Sequence, residues 1–546
     1  MGTIIVRSFG FGIQFAERYN MTRLSGWIAC ILTVSLFTGP AAGDDEELIE
    51  DSLKQVRDVK KDMFDGQSSV LGKLPDAGEM ARQQLRSRPI PKQQTNANAV
   101  VAFDAARMKK LTGELKRRLG KLSKDRKGKP VSAPLGITGG RMADDYFGRQ
   151  DFLIVDVQPD TPAEGKLLAG DIIIGANGRL IADPEDPRPE MGYALVESQT
   201  PQLGGILTLH LVRGGKGISV KLDLGNKTPY SETWPYKCEK TRQIRAAALK
   251  LVMEKGPEAK NLMSMHRAGG FWTPLFLMAS GDKAAMAKVT EWIRATTKPA
   301  SEYPQEVTGK SSWVTGYELI NVAEYYLLTK DRTVLPRLRY LGRVLEKNQF
   351  PSGGWSHGTP PGYGEINNAG LACFIGLILS RECGLEGDAK KFAKSIRYFG
   401  KYCGTNFGYG LGTPGGRSGR MDNGMHGMAA VAFGLLGEKE MARRWARPLC
   451  YMWMGRERGH AEGIFSPMWG SVGADYAPKP EFNMFMKHML WYYELCRTPE
   501  GGMVFLRGTR FPYPGGVTPA MAMFLYMPEH RIRILGAPKL SPGRTK

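Results

Sequence analysis

The spacing of apolar positions changes character along the chain, and the changes divide it. An unbroken apolar run from Trp27 to Phe37 comes first. Between Glu46 and Met63, apolar Leu48, Ile49, Leu53, Val56 and Val59 fall at helical spacing among charges, which predicts an amphipathic helix. Gln67 to Asn98 is polar and interrupted by Pro75, Pro89 and Pro91, so it predicts a connector. Val100 to Leu122 predicts a second helix, ended by Lys127-Gly128-Lys129-Pro130. The pattern then turns to short β-branched runs. Phe152–Val157 and Ile172–Ile174 predict strands, the latter buried. Asn177-Gly178 supplies the two positive φ angles of a type I′ hairpin, which should bring Arg179–Ile181 back against the preceding strand.

From Tyr236 onward the period is helical. Four helix starts look alike: Gly281-Asp282-Lys283, Lys330-Asp331-Arg332, Gly387-Asp388-Ala389 and Gly437-Glu438-Lys439. Each follows an apolar helix and places an acid where it favours a helix N-terminus. The acids are 49, 57 and 50 residues apart, the size of an αα-hairpin repeat. The more apolar helix of each pair, Val314–Leu328, Ile366–Leu379, Met425–Leu436 and Phe482–Leu495, is expected to line the inside. Connections into the charged helices are short. Those into the apolar helices are long and glycine-rich: Thr297–Ser311, Gln349–Glu365, Gly404–Met421 and Gly455–Pro480.

Charge and cysteine content refine this outline. The formal charge is +21, and the stretch from Arg107 to Lys129 alone carries a net +9. This basic helix has no interleaved aromatics, which argues against nucleic acid as a partner. Met21 opens a leader with Arg23 as its basic end, Trp27–Phe37 as its apolar core and Ala41-Ala42-Gly43 as a small-residue cleavage site. Export to the periplasm or the outside follows, and no later run is apolar enough for a transmembrane segment after signal removal. The cysteines form no C-x-x-C, so zinc-knuckle and thioredoxin-like sites are excluded; no metal site and no cofactor are expected.

Several short motifs in order carry a resemblance. Pro134-Leu135-Gly136-Ile137, Phe152–Val157, Pro159-x-x-Pro162-Ala163, Leu168-x-Gly170-Asp171-x-Ile173 and Asn177-Gly178 together resemble a PDZ domain of the bacterial periplasmic-protease type. The resemblance implies a groove helix at Glu190–Ser198 and closing strands at Gly205–Arg213 and Ile218–Leu224. It also implies peptide binding at Leu135, Gly136 and Ile137, with peptide or protein C-termini as partners. No protease motif accompanies it. The helical half resembles the α/α toroid of terpenoid cyclases, protein prenyltransferases and several polysaccharide lyases. Gln349-Phe350-Pro351-Ser352-Gly353-Gly354-Trp355 fits the Q-x-x-x-G-x-W repeat of the triterpene cyclases. The cyclase D-x-D-D acid and the prenyltransferase zinc ligands are missing. The expected fold class is therefore multidomain: an α+β PDZ-like domain followed by an all-α αα-hairpin toroid. Its boundaries would be a leader over 1–43, a helical and basic linker over 44–130, the PDZ-like domain over 131–227 and the toroid over 228–546.

In such a toroid the long loops and the N-termini of the inner helices share one end, a basin suited to an anionic or hydroxyl-rich ligand. Candidate catalytic residues there are Glu365, Asp422, His426, His460 and Tyr476. Candidate ligand-binding residues are Trp355, His357, Asn367, Asn368, Arg417, Arg420 and Trp469. Three functions compete: peptide binding through the PDZ-like groove, a lyase or hydrolase acting on an acidic polysaccharide, and a structural scaffold with no ligand.

Overall fold

The computed structural model describes residues 47–55, 57, 103–125, 128–258, 261–263, 270–307, 311–360, 364–403, 407, 423–453, 456–457, 465–506 and 514–539. The leader, from Arg23 to the Ala41–Gly43 site, lies outside them.

A seven-stranded antiparallel sheet comes first. Its strands are β1 (Ser132–Pro134), β2 (Gly140–Ala143), β3 (Phe152–Val157), β4 (Ile172–Ala176), β5 (Arg179–Leu180), β6 (Ile206–Arg213) and β7 (Lys216–Asp223). They run in the order β1-β2-β3-β4-β6-β7, with β5 paired to β4. The hairpin forms where expected. Asn177 and Gly178 have φ of +47° and +78°, and Gly175 and Ala176 pair with Leu180 and Arg179.

Alternation along the strands sends side chains to opposite faces. Leu153, Ile172, Ile174 and Val212 face Leu111 and Leu115 of α1 (Ala105–Lys121) in a small core of their own. The basic helix is thus a layer of the fold and not a linker. Its Arg118 is buried and donates to Asp145 at 2.5 and 2.8 Å, and also pairs with Asp151. On the other face, Phe152, Ile154, Ile173, Leu207 and Leu209 join Met191 and Leu195 of α2 (Arg188–Ser198) in the main core.

The helical region that follows contains α3 (Glu239–Lys255), α4 (Thr273–Ser280), α5 (Lys283–Thr296), α6 (Ser312–Thr329), α7 (Leu335–Asn348), α8 (Asn367–Glu382) and α9 (Ala389–Gly400). It continues with α10 (Asn423–Leu435), α11 (Lys439–Cys450), α12 (Phe465–Ala474), α13 (Lys479–Cys496) and α14 (Pro514–Ala522). Three of the four expected acids start their elements as caps. Asp282 accepts from Ala285 N at 2.8 Å, Asp331 from Thr333 N at 3.0 Å and Asp388 from Lys391 N at 3.0 Å. Glu438 makes no cap; its carboxylate holds Arg57 and so ties the helical residues 47–57 to the rest. Apolar α6, α8, α10 and α12 pack side by side in that order, and α14 contacts both α12 and α4.

The expected multidomain class, a PDZ-like α+β domain followed by an αα-hairpin toroid, is overturned. Residues 45–546 form one compact unit, and one hydrophobic core runs from the sheet through the helices. The chain has a seven-stranded antiparallel sheet over residues 132–223 followed by a helical region. Helix α2 crosses α13 so closely that a Cβ on Gly192 would sit 2.5 Å from the carbonyl oxygen of Trp491. A polar network closes the same seam. Gln199 donates to the buried Glu494 at 2.6 Å, Arg497 donates to it at 2.9 Å, and the Tyr230 hydroxyl donates as well. Lys240, buried beside them, donates to Gln199, and burial lowers its pKa to about 8. The repeat scheme also fails at its last step. Gly455–Pro480 was expected to be a loop, yet α12 lies within it, and Phe482–Leu495 belongs to α13, which packs on α2 rather than lining the inside.

Candidate functional site

Leu135, Gly136 and Ile137 were expected to cap a peptide groove. The structure places them under α13 instead. Leu135 is buried, Gly136 opens a short 3-10 turn with φ +57°, and a Cβ there would lie 2.9 Å from Leu195 Cδ1 and 3.0 Å from the Glu494 carbonyl oxygen. The C-terminal end of α13 thus sits against the loop that was to meet a free carboxylate, which corrects the expectation of an open groove.

The end of the helical region where the apolar helices begin does gather predicted residues. His357, Glu365, Asn367 and Asn368 lie close to the starts of α6 and α8. The Ser312 amide donates to the His357 carbonyl at 2.7 Å, and the His357 ring lies 5.3 Å from that of Trp313. Both rings are half-buried, and burial lowers the His357 pKa. Glu365 accepts from the Ser352 hydroxyl; burial raises its pKa, opposed by Lys401. Lys401, just past α9, holds its ammonium 4.2 Å from the Tyr398 ring centre and 5.0 Å from that of Tyr402. Burial lowers the Lys401 pKa, and Glu365 opposes the fall. Tyr398 donates to Asn367 Oδ1 at 3.4 Å.

Two fully buried carboxamides at this end are incompletely satisfied among the described residues. Asn368, with no exposed surface, accepts from Ala369 N at 2.8 Å, but its Nδ2 has no partner among the described residues. Asn423, equally buried at the first position of α10, donates to Met452 O at 2.9 Å, while its Oδ1 has none. Most buried polar atoms in folded proteins are paired; these two are among twelve described side-chain atoms that are not, and they share a place at the starts of adjacent helices.

Other predicted residues are held elsewhere. Trp355 is buried and donates to Leu345 O at 2.8 Å, a structural role. Trp469 is buried on α12 and donates to the Tyr317 hydroxyl of α6 at 3.1 Å. That bond links α12 to α6 across the interior. His426 is buried in α10 against Trp445 and Phe407, at 5.4 and 6.3 Å between ring centres. Tyr476 follows the C-terminal end of α12 and packs on Gly434, near Asp475, Glu382 and Arg533; burial pushes its pKa up to about 12. It therefore lies away from the helix starts, which corrects its assignment to the basin. Asp422, His460, Arg417 and Arg420 lie outside the described residues.

Among the described residues, no group of His, Cys, Asp and Glu could hold a metal ion. None of their helices is long and apolar enough to cross a membrane. The six described cysteines are buried, and no disulfide joins any two of them.

A family model described as a domain of unknown function, DUF6288, matches residues 243–536, more than half of the chain. The chain belongs to the DUF6288 family. The DUF6288 match begins within α3 and ends just after the 3-10 turn Arg533–Leu535, so it spans the helical region and leaves the sheet outside. Neither the curated proteins nor the solved structures gave a match.

Sequence reading missed Lys401, Tyr398 and Trp313. The i,i+3 step from Tyr398 to Lys401 at the end of an amphipathic helix was the available signal, hidden because α9 was read only as an outer, charged helix.

Proposed function

We propose that the chain is an exported binding protein for an acidic, hydroxyl-rich ligand of the uronate-containing glycan class, taken where α6, α8 and α10 begin. The observation that carries this reading is the pair Asn368 and Asn423, both fully buried, one with a donor and one with an acceptor unmet among the described residues. An unmet buried polar atom costs about 1–3 kcal/mol. A hydroxyl donates and accepts, so a polyol supplies what both lack. Helix N-termini favour a nearby anion, and Lys401 adds a cation at the rim. The half-buried Trp313–His357 pair offers an apolar face for a sugar ring. Export rests on the Arg23, Trp27–Phe37 and Ala41–Gly43 pattern.

The test is calorimetry of the full chain against oligogalacturonate and a neutral maltooligosaccharide of equal length, for wild type and Asn368→Leu. The reading expects heat with the uronate alone, lost in Asn368→Leu while thermal stability is kept. Equal heat with both sugars, or with neither, removes it.

A catalytic reading has one observation in its favour. Burial raises the Glu365 pKa, the direction a general acid needs for glycoside hydrolysis or for protonating a leaving group in β-elimination. Release of reducing ends from polygalacturonate, abolished in Glu365→Gln, would favour it over simple binding.

A further inference from the structure

A cavity of about 410 Å³ lies between α7, the end of α8 and the start of α9. Arg381, on its wall, is 13 residues beyond Asn368 along α8, roughly 20 Å at the helical rise, so this is a separate place from the helix starts above. The volume falls in the range of small-molecule sites, about 300–1,000 Å³. Leu338, Leu377 and Phe392 form an apolar floor, and Arg339, Arg343 and Arg381 stand around it.

Three carboxylates, Glu346, Glu386 and Asp388, line the same cavity, yet among the described residues none forms an ion pair with these arginines. Arg339 and Arg343 are four residues apart on α7 and share a face, an arrangement that disfavours the bare helix because like charges repel. Arg339 is exposed and has no partner among the described residues. Among the described residues Arg343 reaches only neutral oxygens, Gln305 Oε1 at 3.3 Å and Pro304 O at 3.4 Å. Arg381 donates to the Glu386 carbonyl and lies 5.0 Å from the Phe392 ring centre. Two of the three acids that line the cavity are engaged with backbone. Glu346 Oε1 accepts from Asp388 N at 2.7 Å, and Asp388 caps α9. Glu386, the third, is exposed at the edge.

We propose that this cavity binds a small amphiphile with one carboxylate on an apolar chain, the chain lying over Leu338, Leu377 and Phe392 and the carboxylate meeting Arg339 and Arg343. Two guanidinium forks match a carboxylate in geometry and charge, and relieve their mutual repulsion when it binds. Size favours an unbranched or lightly branched chain over a polymer.

Gly342 gives a clean way to test this. It lies on α7 in the cavity wall, a Cβ there meets nothing within 4 Å, and its φ is ordinary. Gly342→Phe therefore fills the space without backbone strain, and Gly342→Ala controls for the gain in helix propensity. Calorimetry of the full chain with decanoate below its micellar concentration, decan-1-ol and decylammonium decides the matter. The expected result is saturable binding of decanoate, at least roughly tenfold weaker binding of the alcohol and the ammonium, and loss of binding in Gly342→Phe but not Gly342→Ala. Arg339→Ala with Arg343→Ala should weaken decanoate by roughly tenfold or more while leaving the alcohol unchanged. Absence of saturable decanoate binding, equal affinity for the alcohol, or undiminished binding in Gly342→Phe overturns the proposal.

Discussion

His488 should make the protein sensitive to mild acid. It lies on α13 with its ring stacked on Trp453, 4.1 Å between centres and 5° between planes, and only 5% of it is exposed. Burial lowers its pKa to about 4, and the neighbouring Lys487 and Arg456 push the same way. Arg456 is itself buried, so a charged His488 would add a second cation to a place already short of water. The sign follows from linkage. A histidine whose folded pKa lies below its unfolded value of about 6.5 contributes stability that is fully present above 6.5 and is lost as pH falls through the folded pKa. The interval of about 2.5 pH units, at about 1.4 kcal/mol per unit, corresponds to about 3 kcal/mol. Asp186 and Glu494, with pKa values held down by Arg188 and Arg497 against the effect of burial, lose stability at lower pH still, so the wild-type curve is composite. His488→Phe keeps a flat ring against Trp453 and removes the titration. Urea denaturation followed by tryptophan fluorescence at intervals from pH 7.5 to 4 should show the wild type losing about 3 kcal/mol more than His488→Phe. Parallel curves would refute the reasoning, because they would mean that the imidazole charges in the folded state as easily as in the unfolded one.

Three further outcomes are expected. Trp469→Phe leaves the buried Tyr317 hydroxyl without its donor and should cost about 1–3 kcal/mol in chemical denaturation. Gly192→Leu forces a side chain against the Trp491 backbone at the α2–α13 crossing and should cost about 1–3 kcal/mol, or prevent folding, as read by urea midpoint and soluble yield. Lys401→Ala changes an exposed residue, so stability should move by less than about 0.5 kcal/mol while calorimetry shows uronate affinity falling severalfold.

Legibility in the sequence followed how local the determining physics is. Asn177-Gly178 announced its hairpin because two consecutive positive φ angles are a property of those residues alone. Asp282 and Asp388 announced helix starts because a carboxylate at that position satisfies amides two or three residues on. Phe465–Ala474 failed the same kind of reading. Its Pro, Ser and three-residue glycine spacing look like a loop, yet Gly473 lets α12 approach Gly427 of α10 until their backbones touch, a need that exists only once both helices are placed. The basic helix α1 misled for a similar reason. Its charge was plain, but its anchoring by Asp145 and Asp151 depends on a loop some thirty residues away. At the candidate site, Glu365, His357 and Asn368 could be chosen because they flank a predicted helix start. Lys401 could not, since it enters from the end of a different helix.

The seam between α2 and α13 decides how the Leu135–Ile137 loop can act. Separating the two would break the hydrogen bonds that Gln199, at the end of α2, makes with the buried Glu494 and Lys240, and bonds to charged groups contribute about 1.5–3 kcal/mol each. The Arg188 guanidinium, held by Asp186 at 2.7 Å and by Glu457 at 2.6 Å from the helical side, adds a buried ion pair between sheet and helices, and breaking such a pair by removing one side costs about 3–5 kcal/mol. An external peptide would have to displace the end of α13 before reaching Gly136, so its apparent affinity would be lowered by the population of the opened form. At about 4 kcal/mol that population is roughly one in a thousand, which turns a micromolar groove into a millimolar one. Burial of these charges is thus better understood as fixing the sheet to the helices than as holding a peptide site in reserve. The two ligand sites proposed above lie instead on the helical region, at the starts of α6, α8 and α10 and in the arginine-lined cavity at the end of α8.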